Sequence, residues 1–118
     1  MSQTQNPIQT HREILQRKFE SIEGVRKVYF QPPSVEKIKY PCIIYNFEGL
    51  NKISADNNPY LLSPRFTVTV IDHNVESMIP MYVMGMNDGV TVSMDRFFTS
   101  DNLNHWVFSV ISTQFLEK

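Results

Sequence analysis

The stretch PRFTVTVIDHN, residues 64–74, carries the strongest structural signal in the chain. Large apolar side chains recur at every second position from Phe66 through Val68 to Val70, and polar threonines lie between them. Since successive side chains of a strand point to opposite faces, this alternation predicts a β-strand with one face in an apolar core. The fold must therefore contain a sheet.

The preceding apolar segment, YPCIIYNFE at residues 40–48, predicts a second strand. Its side chains form two alternating sets, Cys42 and Ile44 on one face and Ile43, Tyr45 and Phe47 on the other. Both sets are apolar, which is typical of a strand that is covered on both faces.

The segment EGLNKISADNNPYLLS, residues 48–63, is rich in turn-forming residues and predicts a long loop between these two strands. Long loops in compact domains are often functional. Leu50 and Ile53 have no obvious local core to join. We therefore expect residues 48–60 to be mobile in an isolated subunit and to become ordered on assembly.

A first helix is predicted over residues 10–23, ahead of a short strand in RKVYF. Thr10 and Glu13 have the spacing of a capping box, and Gly24 provides the stop. Residues 1–9 are expected to form a flexible lead-in.

The segment at residues 74–86 predicts a second helix, whose regular part begins near Ile79 because Pro80 is tolerated only in a first turn. DGVTVSMDRFF and HWVFSVIST predict two further strands. The resulting order is αβββαββ. It predicts a single α+β domain over residues 10–118, with two helices and a mostly antiparallel five-stranded sheet.

The composition narrows the range of functions. A chain of 118 residues with 11 basic and 12 acidic side chains has a net charge of -1, so it lacks the basic excess of proteins that hold the phosphate backbone. No apolar stretch approaches the roughly 20 residues of a membrane span, and the polar start MSQTQNPIQTHRE does not have the form of a signal peptide. We expect a cytosolic domain.

The polar insert TSDNLNH, residues 99–105, is the richest cluster of polar groups in the chain. Catalysis by Asp101 or His105 would need a nucleophile, but Cys42 lies in an apolar segment without the local signature of a catalytic thiol. The insert is predicted to be a structured turn, with a subunit contact and a catalytic loop as the alternatives. The three histidines are not spaced as metal ligands, so no metal site is predicted. No cofactor and no catalytic residue is predicted either.

Surplus apolar side chains predict self-association. The methionines make the second helix apolar nearly all round, which indicates either contact with a neighbour or a core helix filled by flexible side chains. The last strand adds an apolar face opposite Trp106. The predicted subunit-interface residues are Leu50, Ile53, Met78, Met81, Met84, Val107 and Ile111.

The strings VYFQPP, YPCIIY, ADNNPYLL, FTVTVIDHN and DNLNHWVF occur in this order from His11 to about Val110. In that order and spacing the chain resembles the tail completion, or tail terminator, proteins of long-tailed phages and prophages. The predicted order of elements is also similar to the fold of that family.

The resemblance implies a structural protein rather than an enzyme. It implies a ring, in the family a hexamer, that terminates the tail tube and joins it to the head. The implied partners are further copies of the chain, the major tail tube protein and head-joining or neck proteins, with DNA passing through the lumen without specific binding. The implied location is the virion, after assembly in the host cytoplasm. A head-side stopper or adaptor, and a small enzyme built on Cys42 or His105, are the alternatives.

Overall fold

Two helices and five strands make up the described part of the chain, which in this computed structural model comprises residues 7–34, 37–53, 61–87 and 89–112. They are α1 (Pro7–Glu20), β1 (Lys27–Phe30), β2 (Cys42–Ile53), β3 (Leu61–Asp72), α2 (Ile79–Met84), β4 (Val90–Ser100) and β5 (Leu103–Ser112). Nothing is described of the side chains of Pro7, Lys52, Ile53, Leu61 and Leu62. The predicted α+β class and the order αβββαββ are confirmed.

The five strands form one sheet in the order β1-β2-β3-β5-β4. Strand β1 is parallel to β2, and the other three pairings are antiparallel. At the centre, Val68 lies between Tyr45 on β2 and Phe108 on β5. All three side chains are buried, so the predicted alternation in β3 is confirmed.

Both helices cover the same face of this sheet. Leu15 and Phe19 from α1, and Ile79 and Val83 from α2, belong to one buried cluster with the inward side chains of all five strands. The second face carries a smaller cluster centred on Tyr29, Cys42 and Ile71, which Ile38 and Tyr40 help to cover. The two-faced pattern predicted for β2 is therefore confirmed.

The first helix begins and ends earlier than predicted. It starts at Pro7, so Thr10 lies inside the helix and does not cap it, and the capping-box prediction is wrong. Proline is well suited to a first turn, where its missing N–H costs nothing. Glu13 instead accepts a hydrogen bond from Gln9, one turn earlier. Gly24 still reverses the chain with a positive φ of 95° after the helix ends at Glu20.

The predicted loop at residues 48–63 is largely a β-hairpin. Strand β2 continues to Ile53 and β3 begins at Leu61, so only residues 54–60 of that loop lie outside the described chain. A register shift between Phe47 and Gly49 accommodates an extra residue, and the ladder then continues into the turn-forming sequence as far as Ile53 and Leu61. The Arg65 guanidinium also donates to the Asn51 side chain across the two strands.

The second helix is a short one, and its regular part begins at Ile79 as predicted, with Pro80 in the first turn. The residues before it form turns held by side chains. The main-chain amide of Asn74 donates to the Asp72 carboxylate, and the amide of Ile79 donates to the Ser77 hydroxyl. These local bonds replace helical ones over residues 74–78.

Candidate interaction surface

The polar insert at residues 99–105 is the turn of a β-hairpin. Ser100 pairs with Leu103, which leaves Asp101 and Asn102 as the two residues of the connection. Their φ angles are 54° and 63°, so both adopt the left-handed conformation that a type I′ hairpin turn requires. Aspartate and asparagine tolerate that conformation better than most residues. The prediction of a structured turn is confirmed.

Asn104, just after this turn, anchors the hairpin to the neighbouring strand. Its side chain is buried, and its amide donates to the main-chain oxygens of Asp72 at 3.2 Å and His73 at 3.1 Å. Its side-chain oxygen accepts a bond from the Thr99 hydroxyl at 3.2 Å. The hydrogen bonds of Asn104 therefore join the start of β5 to the end of β4 and to the end of β3.

Cys42 is poorly suited to act as a nucleophile. Its side chain is fully buried, and burial, followed by the nearby negative charge of Asp72, raises the pKa of the thiol to about 12. The thiol is therefore protonated at neutral pH, whereas the thiolate is the reactive form. In the described residues, no three His, Cys, Asp or Glu side chains are grouped as a metal site would need.

The ring of His105 stacks on Phe98, with ring centres 4.5 Å apart and planes at 8°. The Arg96 guanidinium lies over the same Phe98 ring, 5.2 Å from its centre. His73 instead packs edge-on against Tyr40. The two histidines thus occupy aromatic packing positions on different parts of the sheet.

The outer side of α2, together with its N-cap residue Met78, exposes several large apolar side chains. Ile79 and Val83 point into the core, while the other side of the helix carries methionines that are 51% (Met78), 63% (Met81) and 48% (Met84) exposed. A core helix filled by flexible methionines is therefore the wrong interpretation of these three residues. Groups of exposed apolar side chains commonly mark contact sites.

Strand β4 carries two further exposed apolar side chains, on the helix-covered face of the sheet. Met94 is paired with Phe108 and Phe97 with Trp106, so both share the face of the main core, yet both are more than one-third exposed. Helix α2 packs against β4. We call this set the α2–β4 surface, and its members are Met78, Met81, Met84, Met94 and Phe97.

The other predicted interface residues differ in position and exposure. Leu50 is exposed, but it lies on β2, separated from β4 by two strands and near the opposite edge of the sheet from the α2–β4 surface. The side chain of Ile53 lies outside the described part. Val107 is only 8% exposed, because Thr69 and Arg96 flank it on the two adjacent strands, so its placement on an exposed face was wrong. Ile111 is half-buried.

Sequence reasoning missed Met94 and Phe97. The segment SMDRFF interrupts the alternation of the strand, and the structure has a register shift between Met94 and Arg96 at that point. This shift returns Phe97 to the same face as Met94. The sequence did offer a signal for this: Met94 and Phe97 are apolar residues on either side of the point where the alternation of β4 breaks.

No family model matches the chain, and no curated protein shows significant similarity to it. In the portion of the chain that is described, no helix has both the length and the apolar character to span a bilayer.

Proposed function

We propose that the chain is a structural assembly protein of a long-tailed phage or prophage, forming a ring that terminates the tail tube and joins it to the head. The observation that carries the proposal is the α2–β4 surface, whose exposed apolar side chains favour a protein partner. The resemblance of the quoted strings to tail terminators supplies the kind of assembly.

The overall charge of the chain supports the same function. With a net charge of -1, the chain lacks the basic excess expected of a protein that grips DNA. A hexameric ring of such subunits would let DNA pass through its lumen without binding it. The other partners would be the major tail tube protein on one side and neck proteins on the other, all within the virion after assembly in the host cytoplasm.

The burial of Cys42 weighs against the alternative of a thiol enzyme. A head-side stopper or adaptor would use the same kind of apolar contact surface, and no described feature favours it over a terminator. The two functions differ in their consequence for the tail, because only a terminator fixes where the tube stops growing.

The test is deletion of the gene from the genome that encodes it, followed by electron microscopy of the particles. We expect unjoined heads and tails of irregular length, with normal particles restored by the wild-type gene. Unjoined tails of uniform length would support the head-side alternative. Normal particles after deletion would contradict both.

A variant connects this test to the surface. Met81→Glu places a charge on an exposed position of α2, so the subunit should fold but fail to restore joined particles. Glu76→Gln, on an exposed position of the preceding turn, is the matched control and should restore them.

A further inference from the structure

The charged side chains are segregated along the chain. Residues 26–39 carry four Lys or Arg and one Glu, a net charge of +3, whereas residues 72–101 carry five Asp or Glu and one Arg, a net charge of -4. The first segment contains β1 and the second contains β4, and these two strands form the opposite edges of the sheet. The small net charge of the whole chain therefore conceals a subunit that is positive at one edge and negative at the other.

These charges are not neutralised by ion pairs within the described part of the subunit. The four exposed cations around β1, which we call the basic edge, are Arg26, Lys27, Lys37 and Lys39. Two exposed carboxylates on β4 and its turn, Asp95 and Asp101, form the acidic edge. Among the described residues, none of these six side chains forms an ion pair. Arg96, the cation next to Asp95, instead lies over the Phe98 ring.

The pairing register shows which parts of the two edges are level with each other. From strand to strand it places Lys27 of β1 and Phe98 of β4 in one row across the sheet. Arg26 precedes Lys27, and Asp101 follows Phe98 by three residues, so both lie toward the same end of the sheet. A copy displaced sideways across the sheet therefore brings its Asp101 turn toward the Arg26 and Lys27 side chains of its neighbour.

A second pair of opposite charges is level on the face of the sheet that the helices leave open. Tyr29 of β1 accepts a hydrogen bond from the main-chain amide of Lys39 at 2.9 Å, which places Lys39 over this face. Tyr29 shares a row with Arg96, which directly follows Asp95. The Asp95 carboxylate accepts a bond from the Ser109 hydroxyl, 2.7 Å away, on the same face. The same sideways displacement thus brings Asp95 toward Lys39.

A cleft beside the basic edge can receive an apolar side chain. Its volume is about 230 Å³, and its lining residues are Glu20, Val25, Arg26, Lys27 and Val28. Sites for small molecules have volumes of roughly 300–1,000 Å³, so this cleft is better suited to one large side chain. Phe97 is 43% exposed and shares a row with Val28, so the same displacement directs its ring toward the cleft.

We propose that the acidic edge of one copy docks on the basic edge of the next copy, with Phe97 in the cleft between α1 and β1. The inference rests on the proposed function and supplies the contact between neighbouring subunits of its ring. A contact between unlike edges is head to tail, and it closes into a ring when the rotation between neighbours allows. A two-fold contact between like edges would bring charges of the same sign together, which is unfavourable.

The contact is expected to be weak between two free subunits and sensitive to salt. Exposed ion pairs contribute little singly and are screened by salt, so the charges chiefly select the partner and its orientation. An aromatic side chain in a cleft supplies the apolar part of such a contact. Closure of a ring adds a second contact to every subunit, which strengthens the assembly as a whole.

The test is zero-length crosslinking of the wild-type chain with a carbodiimide, which joins a lysine amine directly to a carboxylate that it contacts. A mixture of unlabelled and isotope-labelled protein distinguishes bonds between copies from bonds within one copy. At high protein concentration, mass spectrometry should detect Lys27–Asp101 and Lys39–Asp95 bonds between copies. Within one subunit the two edge strands lie about 19 Å apart, beyond the reach of these side chains.

Salt should reduce the yield of these crosslinks. The Debye length is about 30 Å at 0.01 M salt and about 3 Å at 1 M, so we expect about a tenfold lower yield at the higher concentration. Phe97→Ala should lower the yield at low salt by about tenfold as well. Val75→Ala, at an exposed apolar position that is not on β4, is its control and should leave the yield unchanged.

A double variant tests the acidic edge. Asp95→Asn with Asp101→Asn removes both charges and retains the side-chain shape, and asparagine tolerates the positive φ of position 101. In analytical ultracentrifugation this variant should remain monomeric under low-salt conditions in which the wild type associates. Glu76→Gln removes an exposed carboxylate that is not on β4, so it is the matched control and should associate like the wild type. Circular dichroism establishes that each variant is folded.

The edge contact would be overturned by the absence of both crosslinks at low salt, or by association of the double variant at wild-type strength. Species no larger than a dimer would also contradict the head-to-tail arrangement. If duplex DNA protects Lys27 and Lys39 from acetylation and no crosslinks form between copies, the basic edge belongs to a nucleic-acid site and the proposal is wrong.

Negative-stain microscopy of the same samples separates these outcomes from the failure of the proposed function. Closed rings without the two crosslinks would overturn the edge contact and leave the ring intact. Crosslinked copies that form open filaments would support the edge contact and count against the ring.

Discussion

The side-chain amide of Asn104 donates a hydrogen bond to the main-chain oxygen of Asp72, 3.2 Å away. The bond joins the start of β5 to the end of β3, where the chain leaves the sheet toward α2. Because three of the four exposed methionines among the described residues lie in α2 or at its N-cap, this buried contact helps to set the position of the α2–β4 surface.

Asn104→Ala should lower the free energy of unfolding by about 1–3 kcal/mol, because the carbonyl of Asp72 would lose its donor in a buried place and that of His73 in a partly buried one. Urea denaturation measures the change. Thr99→Ala removes only one bond from the exposed side of the same network, so its loss should be smaller. Equal stability of the Asn104→Ala variant and the wild type would contradict the anchoring role.

The hairpin turn predicts a difference between two substitutions at Asn102. Its φ of 63° is freely adopted by glycine, so Asn102→Gly should change stability by less than about 0.5 kcal/mol. A β-branched residue is strained in that region, and Asn102→Val should cost about 1–2 kcal/mol. The melting temperatures of the two variants compare them directly. An Asn102→Val variant as stable as Asn102→Gly would argue against the type I′ turn.

His11 should make the fold less stable in mild acid. It is buried in α1, where its Nδ1 forms a hydrogen bond with the Ser112 hydroxyl, and burial lowers the pKa of the imidazole below its ordinary value of 6.5. The unfolded chain therefore takes up a proton at a higher pH than the folded one. The contribution of His11 to stability is complete above about pH 6.5 and is lost progressively as the pH falls below that value.

Urea denaturation between about pH 5 and pH 7.5 measures this dependence. His11→Gln keeps a polar side chain but cannot titrate, so its stability should vary less steeply over that range. The same slope in the variant and the wild type would assign the pH dependence to other groups.

Cys42 should react with iodoacetamide only after the protein unfolds. Burial protects the sulfur, and the raised pKa of about 12 keeps it protonated in the folded state. Above about pH 9 the unfolded thiol ionises while the folded thiol does not, so the contribution of Cys42 to stability declines there as pH rises. Labelling with and without urea, followed by mass spectrometry, provides the measurement. Rapid labelling of the folded protein would be the contrary result.

Met81→Glu should leave the fold nearly unchanged and Val83→Glu should destabilise it strongly, although the two positions lie only two residues apart. Met81 is exposed, so its replacement should change stability by less than about 0.5 kcal/mol. Val83 is fully buried, and a carboxylate there should destabilise the fold by several kcal/mol. Thermal melts distinguish them, and an unfolded Met81→Glu variant would show that this residue belongs to the core.

The local elements could largely be predicted from the sequence. The alternation around Val68 and the faces of β2 follow from a period of two residues, and Pro80 limited where α2 could begin. The ends of elements were less predictable. The extension of β2 to Ile53 depends on pairing with Leu61, and a contact across the sheet leaves no periodic signal in a polar segment.

The sequence by itself determined the fold class, the hairpin turn and the inward faces of the central strands, because each depends on the order of neighbouring side chains. Only the tertiary structure decided which apolar residues remain outside. Val107 is covered by its neighbours on β3 and β4, while Met94 at the sheet edge has, among the described residues, a neighbouring strand on one side alone. Whether a side chain on a strand is buried depends on which strands lie on either side of it. Those neighbours are fixed by the order of strands in the sheet, and residues close together in the sequence do not specify that order.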